Sequence, residues 1–115
     1  MPDHGRPFVS LRPAARFTAV LRTGETNHSG GITVIRTSAE IGPPQVGIVA
    51  SRRVGNAVKR NRAKRRLREA MMRIELQPDT AYVVVAPAGA VGMEFDELTR
   101  RLREAVDRGN EGKQR

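Results

Sequence analysis

The sequence predicts an α/β fold of the α+β sandwich type, with helices packed on a small mixed sheet in the order α-β-β-α-β-α. Two patterns carry that prediction. Three segments, 32–37 (ITVIRT), 45–51 (QVGIVAS) and 81–86 (AYVVVA), have the β-branched, apolar composition of strands. Three others, 14–22, 57–73 and 94–108, repeat apolar residues at helical spacing between glycine and proline breaks. At 115 residues the chain has the length of one domain with a single modest core. The expected ordered region is about 11–108, between flexible tails at 1–10 and 109–115.

Taken in order, residues 1–10 (MPDHGRPFVS) are rich in turn formers and read as a leader. His4 beside Asp3 is a terminal histidine rather than half of a metal site. Pro13 suits the first turn of a helix, Phe17, Val20 and Leu21 fall on one side of 14–22, and Gly24 ends it. Residues 26–31 are a polar, glycine-rich loop carrying His28, which has no second histidine at ligand spacing. Strands 32–37 and 45–51 are expected to pair antiparallel through the loop 38–44. Gln77, Pro78 and Asp79 form a break, and the unbroken apolar run 81–86 suits a strand buried on both faces. The last helix, 94–108, turns Phe95, Leu98, Leu102, Ala105 and Val106 to the core and a mixture of acids and arginines to solvent, with Gly109 as its cap.

The helix at 57–73 belongs to the stretch that dominates the chain, 51–70 (SRRVGNAVKRNRAKRRLREA). It holds nine of the 21 basic residues and one acid, Glu69, so it carries nearly all of the net charge of +9. Gly55 and Asn56 interrupt a strand-like run, and Asn is a favoured helix N-cap. Ala63, Leu67, Ala70, Met71 and Ile74 form one narrow apolar stripe, while arginine and lysine occupy almost all of the remaining circumference. A solvated helix face normally mixes signs, with Glu four residues before Lys or Arg; this one does not. Uncompensated positive charge repels itself, so it calls for a polyanion, and the forked donors of Arg suit phosphate oxygens. A pI near 11.5 agrees with a nucleic-acid partner.

Composition excludes several classes. The absence of Cys removes disulfides, thiolate zinc sites and a thiol nucleophile. No apolar run approaches the ~18 residues of a membrane span and nothing near the N-terminus resembles a signal peptide, so a cytoplasmic location is expected. General acid–base or two-metal hydrolysis needs converging carboxylates or histidines. The 12 acids are scattered, and Glu94, Asp96 and Glu97 stand at a helix start, where acids favour the dipole. No catalytic residue, bound metal or other cofactor is expected in this chain.

The run from Ser51 to Arg65 (SRRVGNAVKRNRAKR) resembles the signature of the bacterial ribonuclease P protein component, with Arg60, Asn61 and Arg62 in the place of its Arg-Asn-Arg motif. The flanks agree more loosely, from about Leu11 to Val106. The resemblance implies an unusual left-handed crossover between the second and third strands. It also implies an accessory role in an endonuclease: a partner RNA, a ribozyme that requires Mg2+, hydrolyses precursor tRNA to remove its 5′ leader, and the protein binds that catalytic RNA and the leader. Catalytic-RNA binding is carried onto Arg52, Arg53, Asn56, Arg60, Asn61, Arg62, Lys64, Arg65 and Arg68, with backbone amides at Gly55 and Asn56 as a further phosphate site. Leader binding is carried onto Phe17 and Leu21. The match is imperfect there: Leu21 stands where a second Phe is common, segment 32–37 has no aromatic residue, and Ala86-Pro87-Ala88 replaces the frequent Ala-Arg-Pro. No membrane and no obligate protein partner is expected. The alternatives are a small basic ribosomal protein or general RNA chaperone, which would bind many RNAs alike, and a DNA-binding module, for which a helical partner just upstream of the basic helix is missing.

Overall fold

The strand richest in apolar residues takes the centre of the sheet. The computed structural model describes residues 7–12 and 14–113; the expectations at Asp3, His4 and Pro13, and those for tail residues 1–6 and 114–115, fall outside them. Strand β5 (Thr80–Val85) is flanked by β4 (Gln45–Val49), parallel to it, and by β3 (Ile32–Ser38), antiparallel. Strand β2 (Glu25–Ser29) pairs antiparallel with β3, and the two-residue β1 (Val9–Ser10) pairs parallel with β4, so the order is β1-β4-β5-β3-β2. Helices α1 (Ala14–Thr23), α2 (Ala57–Met71) and α3 (Phe95–Lys113) complete the chain.

Alternation along the strands separates two cores. On one face Ile32, Val34, Val46, Ile48, Tyr82 and Val84 meet Ala63, Leu67, Ala70 and Met71 of α2 and Leu98, Leu102, Ala105 and Val106 of α3. On the other, Ile35, Ala81 and Val83 meet Val20 of α1 and Leu11, which precedes that helix. Ala81 to Val84 are all fully buried, as a continuous apolar run requires when helices cover both faces. The apolar stripe of α2, through Ile74, is buried as its spacing predicts.

Three expectations are corrected. First, β3 and β4 do not pair; β5 lies between them. A strand apolar on every residue needs neighbours on both edges, which a place at the rim of the sheet would deny it. The connection 39–44 therefore crosses the end of the sheet, held by Asp79, whose Oδ1 accepts from the Gly42 amide (2.7 Å) and whose own amide donates to the Gly42 carbonyl (2.9 Å).

Second, the segment 26–31 is not a loop. Glu25–Ser29 is an edge strand, and Gly30 and Gly31, at φ 55 and 88, form the two-residue hairpin turn into β3. The polar composition of the strand reflects its edge position, where no apolar run is needed.

Third, secondary structure extends past both expected limits. Phe8 and Leu11 are buried on either side of β1, and α3 runs through Gly109 to Lys113. Gly109 is not a cap: a Cβ there would lie 2.9 Å from Arg36 Cδ and 3.1 Å from Asn27 Nδ2. Glycine lets the helix pass close over β3. Beyond it, Asn110 Oδ1 accepts from Arg36 Nη1 (2.6 Å) and from the hydroxyl of Tyr82 (3.0 Å), tying the end of α3 to the sheet.

Among the described residues no helix is long and apolar enough to cross a membrane.

Candidate nucleic-acid interface

Two helices are rich in arginine, and the structure treats them differently. On α3, Arg100 pairs with Glu97 (2.6 Å) and Glu104 (2.9 Å), and Arg101 pairs with Glu97 (2.6 Å). Arg101 also donates to the Gly30 carbonyl and Arg108 to that of His28. The hydrogen bonds from Arg100 and Arg101 hold the Glu97 carboxyl below its ordinary range. The Ser29 hydroxyl, followed by the charges of Arg100 and Arg108, does the same for Glu104. Glu97 in turn raises Arg100 above its usual value. This surface is neutralised from within.

Helix α2 is not. Among the described residues, none of the ion pairs involves a residue between Arg52 and Arg73. Arg52, Arg53, Asn61, Arg62, Arg65 and Arg68 are exposed and Lys64 is half-buried. The loop before the helix is built to present them. Two successive turns, with amides of Val54 and Gly55 donating to carbonyls of Ser51 and Arg52 (both 3.0 Å), anchor buried Val54 and leave Arg52 and Arg53 outside. Gly55 at φ 139 takes a conformation that L side chains resist. Asn56 is extended and its Oδ1 accepts from the Lys59 amide (3.0 Å), capping α2.

Three of the assigned positions also have structural roles. Asn56 already uses its side-chain oxygen as the cap. The Gly55 amide is bonded to Arg52 and so is not a free phosphate donor. Arg60 is partly buried, its Nη1 donating to the Gly55 carbonyl (2.9 Å), so it closes the capping loop as well as carrying charge. One cation of α2 turns fully to structural use: Arg66 donates to the Met93 carbonyl, its guanidinium lies 5.8 Å from the Phe95 ring, and Nε is buried with no partner among the described residues. Arg73 covers the same ring at 4.9 Å.

The residues assigned to the leader lie on the opposite side of the sheet. Phe17 is half-buried over β4, where Gly47 makes room for it, and Leu21, one turn further along α1, is 47% exposed. The sheet therefore separates two surfaces, α2 on one side and α1 on the other. Sequence reasoning missed Gly47, although an isolated glycine inside a strand signals a close approach.

What these features define is a small α+β domain whose largest concentration of positive charge unpaired among the described residues lies on one helix and the loop before it. The family model described as Ribonuclease P matches residues 7–110. The ribonuclease P protein component of Symbiobacterium thermophilum is 36% identical over 102 residues, covering 85% of this chain and 88% of that one. That of Thermus thermophilus is 47% identical over 106 residues, covering 91% of this chain and 62% of the longer relative. The RNase P protein from Thermotoga maritima superposes with a TM-score of 0.76 at 22% identity, over 86% of this chain and 96% of that one, which establishes the shared fold. The chain belongs to the ribonuclease P protein component family.

Proposed function

We propose that this chain is the protein subunit of a cytoplasmic ribonuclease P, docking on the catalytic RNA through α2 and holding the 5′ leader of precursor tRNA on the α1 side of the sheet. The observation that carries the reading is the contrast between the two arginine-rich helices. Charge left without a counter-ion on α2, while α3 neutralises its own, is charge reserved for an external polyanion. Arg62, Arg65 and Arg68 supply the outward guanidinium groups, Lys64 a point charge, and Arg52 and Arg53 extend the strip across the N-terminus of the helix. On the other face, Phe17 offers an aromatic surface to an unpaired base, with Leu21 at the rim.

Hydrolysis is assigned to the RNA subunit with its Mg2+. Three of the acids are tied to structural partners: Glu97 and Glu104 bond to Arg100, Arg101 and Ser29, and Asp79 closes a loop. The protein raises substrate affinity and shields the repulsion between two RNAs, and takes no part in bond breaking.

Reconstitution tests this. The chain alone with millimolar Mg2+ leaves precursor tRNA intact. Added to its cognate RNA subunit, it raises cleavage most at low salt and low Mg2+, where repulsion between RNAs is least screened. Cleavage by the RNA-free chain, or no effect of the chain on the RNA-catalysed reaction, overturns the assignment.

A further inference from the structure

The strand register assembles a second nucleotide-facing element that the sequence pattern does not show. On the α1 side of the sheet, Gly47, Val83, Ile35 and Thr26 stand in one row across β4, β5, β3 and β2. Helix α1 covers this row through Phe17 and Val20. The next row on the same face is Val49, Val85, Thr33 and His28, and none of these four residues is buried. At the spacing of β-strands the row is about 14 Å across, and a four-stranded face of this kind stacks two or three bases in other single-strand readers.

His28 is the aromatic group of that row. It faces the cross-strand Thr33, and its Nδ1 shares a 3.0 Å hydrogen bond with Thr33 Oγ1, which fixes the ring beside the sheet while the side chain stays exposed. Nε2 makes no hydrogen bond among the described residues. Arg52 and Arg53 follow Val49 in sequence by three and four residues, and Arg108 of α3, on the other face, donates to the His28 carbonyl across the edge strand. The carboxylates at that end, Glu97 and Glu104, belong to α3 on the other face and are held by Arg100, Arg101 and Ser29. A half-buried row of Val49, Val85 and Thr33 leading to an exposed, anchored aromatic ring suits an unpaired strand with bases to stack.

We propose that His28 is a specificity-determining residue of this chain, stacking on a leader base that lies across the open row beyond Phe17. The inference rests on the leader-binding reading above.

The test uses the holoenzyme reconstituted with its RNA subunit, and the affinity of precursor tRNAs with long leaders against that of matured tRNA. His28→Ala weakens long-leader binding roughly five-fold or more and leaves matured tRNA unchanged; His28→Phe restores it. The thermal midpoint of His28→Ala stays at that of the parent, because the side chain is exposed. If His28→Ala is silent, weakens both substrates equally, or is not rescued by Phe, the inference falls. Phe17→Ala tells the two failures apart: a leader-specific loss there with a silent His28→Ala overturns only the role of His28, while silence of both overturns leader binding itself.

Discussion

The ring of Phe17 occupies the space that a side chain at position 47 would fill: a Cβ on Gly47 would sit 2.3 Å from Phe17 Cζ. Gly47 lies in the middle of β4, so its role is room rather than backbone freedom. Gly47→Val therefore forces Phe17 off the sheet, with an overpacking cost of about 1–3 kcal/mol. The variant should lower the thermal midpoint and, in the holoenzyme, reduce long-leader affinity much as Phe17→Ala does. A Gly47→Val protein with parental midpoint and leader preference would mean that the ring does not rest on β4.

Leu67 tests the docking of α2. It is fully buried between Ala63, Ala70 and Met71, in the core shared with the sheet and α3. Leu67→Ala removes that contact and leaves a cavity, for an expected loss of about 2–5 kcal/mol in urea unfolding. A loss well under 1 kcal/mol would show that α2 is held by other contacts.

The helices and the central strands were legible in the sequence because each is long and strongly patterned: the stripe through Leu67, the run at 81–86, the spacing of Leu98 and Leu102. What escaped notice has a common physical reason. Edge strand β2 buries little and so has no apolar signature, and only Gly30-Gly31 marks its turn. The place of β5 between β3 and β4 follows from burial on both faces, which the run at 81–86 announced, but chain order suggested the wrong neighbours. Gly109 resembled a helix end because its true role, closeness to Arg36, depends on a strand far away in sequence. On α2 the periodicity separated core from surface correctly. It did not separate Arg66, drawn in by Phe95 and the Met93 carbonyl, from Arg65, its exposed neighbour.

Acid should act on α3. Glu97 and Glu104 both titrate below their ordinary range, Glu97 chiefly through hydrogen bonds from Arg100 and Glu104 chiefly through the Ser29 hydroxyl. A carboxyl whose folded value is depressed adds stability above its unfolded value and loses it as pH falls through the folded one. Urea midpoints should therefore decline as pH drops from the ordinary carboxylate range toward stronger acid. Glu97→Gln combined with Glu104→Gln should flatten that decline and lower the midpoint at neutral pH. An unchanged profile in the double variant would assign the acid sensitivity to other groups.

Salt dependence tests the division of labour along α2. Arg62 and Arg65 are exposed and unpaired among the described residues, so each stands ready to displace a counterion from RNA. Every phosphate neutralised contributes about 0.7–0.9 to the slope of log K against log salt. Arg62→Ala with Arg65→Ala should thus reduce the slope for the RNA subunit by roughly 1.4–1.8 while leaving the thermal midpoint unchanged, since neither side chain touches the core. Arg66→Ala should do the reverse. Its guanidinium is spent on Met93 and Phe95, so the slope should hold and the midpoint should fall. Arg60→Ala should move both, because Arg60 closes the loop at Gly55 and still carries charge beside the strip. If Arg66→Ala reduces the slope as much as the double variant does, α2 meets RNA through the side packed against α3, and the docking face assigned here is wrong.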